Sequence, residues 1–267
     1  MTLRPSRGPS TLQAGIIAAG NGSRLSGGGL ELPKPLIPVS GIPLCHWVVR
    51  SLRRAGIRDL AILVNSRGQA LCESLAGAFP DLSWTFLAQD TASSWESFRL
   101  VSRALGARCK AFLVSTADAL IPPAETARFA REAVKKAEKA EAALALTPHV
   151  DDERPLWAEL GPDGLVRALG EGARGRHVTP WRPPLAPWRQ YARSRAQHVT
   201  AGLYYLTRGL AERMPAASAY GSLREYWISL VARGARVAGI PLSKTLDVDR
   251  PRDLKEAEAF VAAGKMR

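Results

Sequence analysis

Residues 15–41 read GIIAAGNGSRLSGGGLELPKPLIPVSG. The apolar start, Gly15 to Ala19, is short, carries no charge and ends at glycine, which is the pattern of a buried strand running into a turn. Gly20 and Gly22 then permit tight turns and close backbone approach to a ligand, and free backbone N–H groups after a strand suit phosphate oxygens. Arg24 and Lys34 add side-chain positive charge, and Pro33 and Pro35 hold the path around the lysine. The chemistry this points to is polyphosphate binding. The stretch lacks the Gly-Lys-Ser/Thr of a Walker A loop, its glycines do not fall as G-x-G-x-x-G, and Pro33 interrupts any helix that would start there.

Working outward, PLCHWVVRSLRRAG has helical spacing: Leu44, Trp47, Val48 and Leu52 share one face, arginines take the other, and Gly56 ends the helix. DLAILVN, Asp59 to Asn65, is a second apolar run of strand length. Strand, loop, helix, strand is the parallel crossover unit. The alternation continues with GQALCESLAGAF as helix, LSWTFLA as strand, SSWESFRLVSRALG as helix, KAFLVSTAD as strand, PAETARFAREAVKKAEKAEA as helix and AALALTP as strand. Such a series predicts an open α/β sheet covered on both faces, with ligands beyond the carboxyl ends of the strands.

From Val150 the pattern changes. WAELGPDGLVRALGEG holds a Pro-Asp-Gly turn between two short strand-like runs, a hairpin. Residues 174–195 carry six arginines and no acid, with Trp181 and Trp188, and read as an irregular lid. VTAGLYYLT and RVAGIPLS are strand-like, LREYWISLVARG is helical, and a closing helix follows Asp249. The expected organisation is a flexible tail over 1–13 and one domain over 14–267, with 150–200 as a lid or acceptor-binding subregion.

The 267 residues carry a net charge of +13, largely from arginine, a surface that attracts polyanions. No RNA- or DNA-binding motif accompanies the arginines, so nucleic acid is not the expected partner. The start of the chain lacks the apolar core of a signal peptide and no window is apolar enough to cross a bilayer, so a cytoplasmic location and no membrane partner are expected. Cys45, Cys72 and Cys109 have neither zinc nor disulfide spacing and read as buried small hydrophobes. His46, His149, His177 and His198 have no ligand spacing either. Asp118 closes the apolar run AFLVSTAD, where an aspartate commonly caps the following turn.

AAGNGSRL, a Gly-rich spacer and PKPLIPVSGIPL together closely resemble the signature of the sugar-phosphate nucleotidyltransferases, MobA-like NTP transferases among them, and AGIRDLAILVN resembles their usual continuation. The resemblance implies a Rossmann-like three-layer α/β/α sandwich with a mixed, mostly parallel sheet, the GT-A-like nucleotidyltransferase fold. It also implies a Mg²⁺-dependent transferase that moves a nucleotidyl group from an NTP to a phosphorylated small molecule, most often a sugar 1-phosphate, and releases pyrophosphate. A CTP-dependent transferase for a phospho-alcohol or phosphonate, and an inactive nucleotide-sensing domain, are the alternatives. A homodimer is compatible with it.

By that resemblance Ala18, Ala19 and Gly20 line base and ribose, Gly22 and Ser23 meet the phosphates, Arg24 takes the β- and γ-phosphates, and Lys34 takes the α-phosphate or the acceptor phosphate. Gln89 and Thr91 occupy the base-reading segment, with Asp90 where the family has glycine. Asp118 corresponds to the metal-binding aspartate at a strand end. KTLDVDRPRDL resembles the late segment ahead of the final helix and places the second metal ligand at Asp249, with Asp247 as its neighbour and Asp253 as a helix N-terminal charge. Ala201 and Gly202 lie where the family contacts the acceptor. Glu171 is in its acceptor-binding position, but the lysine that should follow is absent, and Arg174 or Arg176 is its candidate replacement.

Overall fold

A computed structural model describes residues 12–20, 32–148, 155–174 and 198–266. Among these residues the core is a nine-stranded mixed sheet. Its parallel strands are β1 (Gln13–Ala18), β4 (Asp59–Val64), β5 (Ser83–Ala88), β6 (Ala111–Thr116), β8 (Ala142–Pro148) and β12 (Val237–Pro241). The long strand β11 (His198–Thr207) runs antiparallel to both β6 and β8 and joins the two parallel groups. The hairpin strands β9 (Trp157–Leu160) and β10 (Val166–Leu169) extend one end of the sheet, while β5 forms the opposite edge. Gly164, at φ 76°, takes the left-handed position of the hairpin's Pro-Asp-Gly turn.

Helices cover both faces, as alternating strands and helices require. On one face α1 (Leu44–Arg54) and α4 (Pro123–Lys136) bury Val48, Leu52, Phe129 and Ala133 against Ile16, Ile62 and Leu113, and α2 (Gln69–Ala78) adds Leu71 and Leu75 to the same cluster. All four apolar residues expected on the inner face of α1 are buried. On the other face α3 (Ser94–Gly106) and α6 (Leu223–Ala232) bury Trp95, Phe98 and Trp227 against Val114, Leu144 and Tyr204, with Leu210 of the short helix α5 (Arg208–Glu212) beside them. Ser93 and Ser222 cap α3 and α6 by accepting from Glu96 N and Glu225 N.

The Ala-rich helix α4 stops at Lys136, short of the Ala142 that its composition predicts, because the sheet claims the chain. Glu141 N donates to Arg236 O at 2.9 Å, which sets β8 beside β12. Of the cysteines only Cys45 is buried; Cys72 and Cys109 are half-buried. Among the described residues no helix is long and apolar enough to cross a membrane.

Two short pairings fall outside the expected pattern. Pro38–Val39 (β2) and Ile42–Pro43 (β3) form a small hairpin turning at Ser40 and Gly41, both at positive φ. Ala119–Leu120 (β7) and Leu246–Asp247 (β13) pair antiparallel, joining segments from the middle and the end of the chain. The final helix α7 (Pro251–Ala262) buries Ala257 and Phe260 against Leu120, Leu246, Val248 and Trp47, so this second pairing has an apolar backing of its own.

Candidate functional site

Three charged side chains from distant parts of the chain converge beyond the carboxyl end of β6. Lys34 stands in a single 3₁₀ turn, Lys34–Leu36, held by Leu36 N donating to Pro33 O at 2.8 Å and by buried Pro35. Its Nζ donates to Asp118 Oδ2 at 2.5 Å and to Asp249 Oδ1 at 2.7 Å. The lysine side chain is only 14% exposed, whereas Asp118 and Asp249 are 25% and 35% exposed and border solvent.

Local structure explains the convergence. Asp118 follows β6 by two residues, immediately before β7. The β7–β13 pair and Val248 N donating to Asp118 O at 3.3 Å bring the 246–249 segment beside it. Thr147 Oγ1 donates to Ser243 O and accepts from Thr245 N, each at 3.1 Å, and pins the approach to β13. Beyond it, Asp253 Oδ2 accepts from Asp249 N at 3.0 Å and Arg250 N at 2.8 Å, capping α7 and setting the turn from which Asp249 projects. Asp253 therefore has the helix-terminal role its position predicts.

Burial pushes the Lys34 ammonium towards losing its proton, but the two facing carboxylates outweigh that and raise its pKa above the ordinary lysine value. Burial likewise pushes Asp118 up, and Lys34 overrides it, holding the carboxyl below its usual range. Lys34 and Asp118 are consequently both charged near neutrality. Burial pushes the nearby Cys45 thiol up to about 12, with the Asp118 charge adding to it, so this cysteine is an inert core residue.

The point between the two carboxylates is filled by Lys34 Nζ, but each carboxylate has a second oxygen and borders solvent, and side-by-side carboxylates are the donors a hard divalent cation prefers. Among the described residues no group of three or more His, Cys, Asp or Glu side chains gathers for a metal. The donor set fits Mg²⁺, which keeps waters and phosphate oxygens beside one or two carboxylates.

Ala18 and Ala19 are buried at the carboxyl end of β1 and Gly20 is exposed beyond them. Gln89 is exposed just after β5, its N–H donating to Val64 O at 3.0 Å. Thr91 Oγ1 is 2.7 Å from Ser97 Oγ, so this hydroxyl faces the first turn of α3. Gly22, Ser23, Arg24 and Arg176 lie outside the described residues, as do Trp181, Trp188 and most of the expected lid.

Glu171 does not join the charged cluster: it sits in an exposed 3₁₀ turn, Glu171–Ala173, facing Arg174 at 3.7 Å. Ala201 is buried. Gly202 is at φ 67°, and a Cβ there would sit 2.6 Å from Thr116 Oγ1, 3.0 Å from Ala119 Cβ and 3.5 Å from Asp247 Oδ1. The close approach at this glycine is thus made by the chain's own β6–β7 segment, the one that carries Asp118. The interruption in register between Thr200 and Tyr204 accommodates it. The β7–β13 clip and the packing at Gly202 have no signal in the sequence beyond the glycine itself.

The α/β sheet thus carries a largely buried lysine between two aspartates beyond its carboxyl edge. Residues 14–221 match the family described as the MobA-like NTP transferase domain, and the chain belongs to that family. Among curated proteins it is 26% identical over 171 residues to CMP-5'-(3-aminopropyl)phosphonate synthase from Streptomyces rubellomurinus, covering 59% of this chain and 27% of that protein. It is also 26% identical over 258 residues to the bifunctional IPC transferase and DIPP synthase of Rubrobacter xylanophilus, covering 93% of this chain and 51% of that one. The chain therefore spans about half or less of the length of these relatives. Among solved structures, the inositol-1-phosphate CTP transferase from T. maritima superposes with a TM-score of 0.69 at 18% identity, covering 94% of this chain and 96% of that one. HddC from Yersinia pseudotuberculosis gives 0.70 at 14% identity, covering 94% and 100%. Both share the fold.

Proposed function

We propose that the chain transfers a nucleotidyl group from an NTP to a phosphorylated small molecule. An oxygen of the acceptor phosphate or phosphonate attacks the α-phosphorus, the bond from that phosphorus to the bridging oxygen breaks, and pyrophosphate leaves with the bond's electron pair. The observation that carries this reading is the largely buried Lys34 held between Asp118 and Asp249 at the sheet's ligand edge. Lys34 supplies a cation that remains protonated and can turn from a carboxylate to an equatorial phosphate oxygen as negative charge builds there. Asp118 and Asp249 are the proposed Mg²⁺ ligands, and the ion when bound would screen the triphosphate's charge. The chain's further work is positional: by the family resemblance Gly22 and Ser23 meet the triphosphate, Arg24 pairs with its outer phosphates, and Gln89 and Thr91 face the base.

For the acceptor, a phospho-alcohol or phosphonate activated with CTP takes precedence over a sugar 1-phosphate. The relative named for a CMP-phosphonate covers 59% of the chain, while the sugar-1-phosphate nucleotidylyltransferase/acetyltransferase of Sulfurisphaera tokodaii covers 23%. A pyrophosphate-release screen of four NTPs against aminoalkyl phosphonates, inositol phosphate and sugar 1-phosphates, with Mg²⁺, tests this. Release with CTP and one of the first two classes is expected. Release confined to sugar 1-phosphates would reverse the order, and nucleotide binding with no turnover would favour a sensing domain.

A further inference from the structure

The strand β5 ends the sheet, and among the described residues only β4 pairs with it. Its sequence, SWTFLA, has no charge, no proline and no bulge against β4, the usual devices that keep an edge strand from pairing. Ser83 N donates to Arg58 O at 2.8 Å and Gln89 N to Val64 O at 3.0 Å. Odd-numbered residues therefore face β4, and the N–H and C=O groups of Trp84, Phe86 and Ala88 face outward. Phe86 is 40% exposed and stacks on Trp84, with ring centroids 5.6 Å apart and planes 8° from parallel.

We propose that this edge docks a second copy of the same chain, continuing the sheet antiparallel through a two-fold axis at Phe86. The outward set is symmetric about that residue: Phe86 meets its own copy, and Trp84 meets Ala88, a large ring against a small side chain. Each narrow pair exchanges two hydrogen bonds, about six in all. The ends match in charge as well. Asp90, just past β5, comes to the flank of the second copy's Arg58, two strand spacings or about 10 Å across the sheet and within an arginine's reach. Among the described residues Arg58 bonds only to carbonyls, Arg53 O at 2.7 Å and Ile57 O at 2.9 Å, which leaves its charge available. One strand pair buries less than the ~800 Å² per partner of a standard interface, so the dimer forms in a concentration-dependent way.

Sedimentation velocity on the full chain over a wide concentration range tests this. The expected result is a shift from the 28.8 kDa chain to a species of twice that mass as concentration rises. Phe86→Pro removes only an outward N–H and leaves the ladder to β4 whole, and Phe86→Lys sets two ammonium groups face to face; each should return the protein to monomer with its circular dichroism unchanged. Phe86→Cys places two sulfurs across a pair whose Cα atoms lie about 5.5 Å apart, within disulfide reach, so mild oxidation should link two chains, whereas Thr85→Cys, which would lie opposite the second copy's Leu87 and not its own counterpart, should not. If Phe86→Pro fails to fold, the lysine and cysteine variants decide. A wild-type chain that stays monomeric at the highest concentration would overturn the proposal, as would a dimer that survives Phe86→Lys and shows no oxidative linkage in Phe86→Cys.

Discussion

Gly202→Ala probes how the Asp118 segment is seated, and its cost can be worked from the geometry. The residue stands at φ 67°, where an L side chain costs about 1–2 kcal/mol. The new Cβ would meet Thr116 Oγ1 at 2.6 Å, which must leave its rotamer, and Ala119 Cβ at 3.0 Å, which cannot retreat without shifting β7, and overpacking of this kind costs about 1–3 kcal/mol. The sum is about 2–5 kcal/mol, at the severe end for one methyl group. Gly234→Ala separates the two contributions: Gly234 is at φ 82° with nothing within 4 Å of its Cβ position, so only the backbone cost of about 1–2 kcal/mol applies. Urea unfolding followed by tryptophan fluorescence should show Gly202→Ala the more destabilising by about 1–3 kcal/mol. Because the displaced segment carries Asp118, nucleotidyl transfer should fall too, and in Gly234→Ala it should not. Equal stability losses in the two variants would refute the packing assigned to Gly202.

Other perturbations reach the charged cluster directly. Asp118 has a lowered pKa, so its pairing contributes stability above the ordinary aspartate pKa and loses it as pH falls through the folded value; Lys34, with a raised pKa, contributes below the ordinary lysine pKa and loses it only as pH rises through the folded value. Lys34→Met leaves two converging carboxylates without a cation, so urea midpoints should rise on going from neutral pH towards mild acid, where the wild type gains nothing. Asp118→Asn and Asp249→Asn should each lower turnover by about a hundredfold or more while Lys34 keeps one charged partner and the fold stands, as read by pyrophosphate release and circular dichroism. EDTA should abolish turnover and added Mg²⁺ restore it. A thiol reagent at mildly alkaline pH should label Cys72 and Cys109 well before Cys45, whose buried thiol should react only on unfolding, as peptide mapping would show.

The sheet was legible where residues act locally. Gly15 to Ala19, Asp59 to Val64 and Ala111 to Thr116 are apolar runs of strand length separated by amphipathic helices, and the Pro-Asp-Gly turn marks the hairpin at 162–164. The parallel pairing of β1 and β4 follows from the strand-helix-strand order, but the direction of β11 was not legible, since the alternation in VTAGLYYLT reads the same for parallel and antiparallel neighbours, and β11 proves antiparallel to β6 and β8. The two-residue strands β7 and β13 are too short to carry a period, and their pairing depends on the apolar cluster under α7, assembled from residues more than a hundred positions apart. That pairing joins the two aspartates. Motif resemblance pointed to Lys34, Asp118 and Asp249 separately; that one ammonium spans both carboxylates is a consequence of tertiary structure alone. Glu171 fits the motif by position, yet its turn faces solvent and Arg174.

The most direct test of the account compares pyrophosphate release by the wild type, Lys34→Ala and Asp118→Ala across the NTP and acceptor panel, with folding of each variant verified. The account predicts turnover by the wild type for at least one NTP and acceptor pair, and its loss in both variants. Turnover left intact by both substitutions would contradict it.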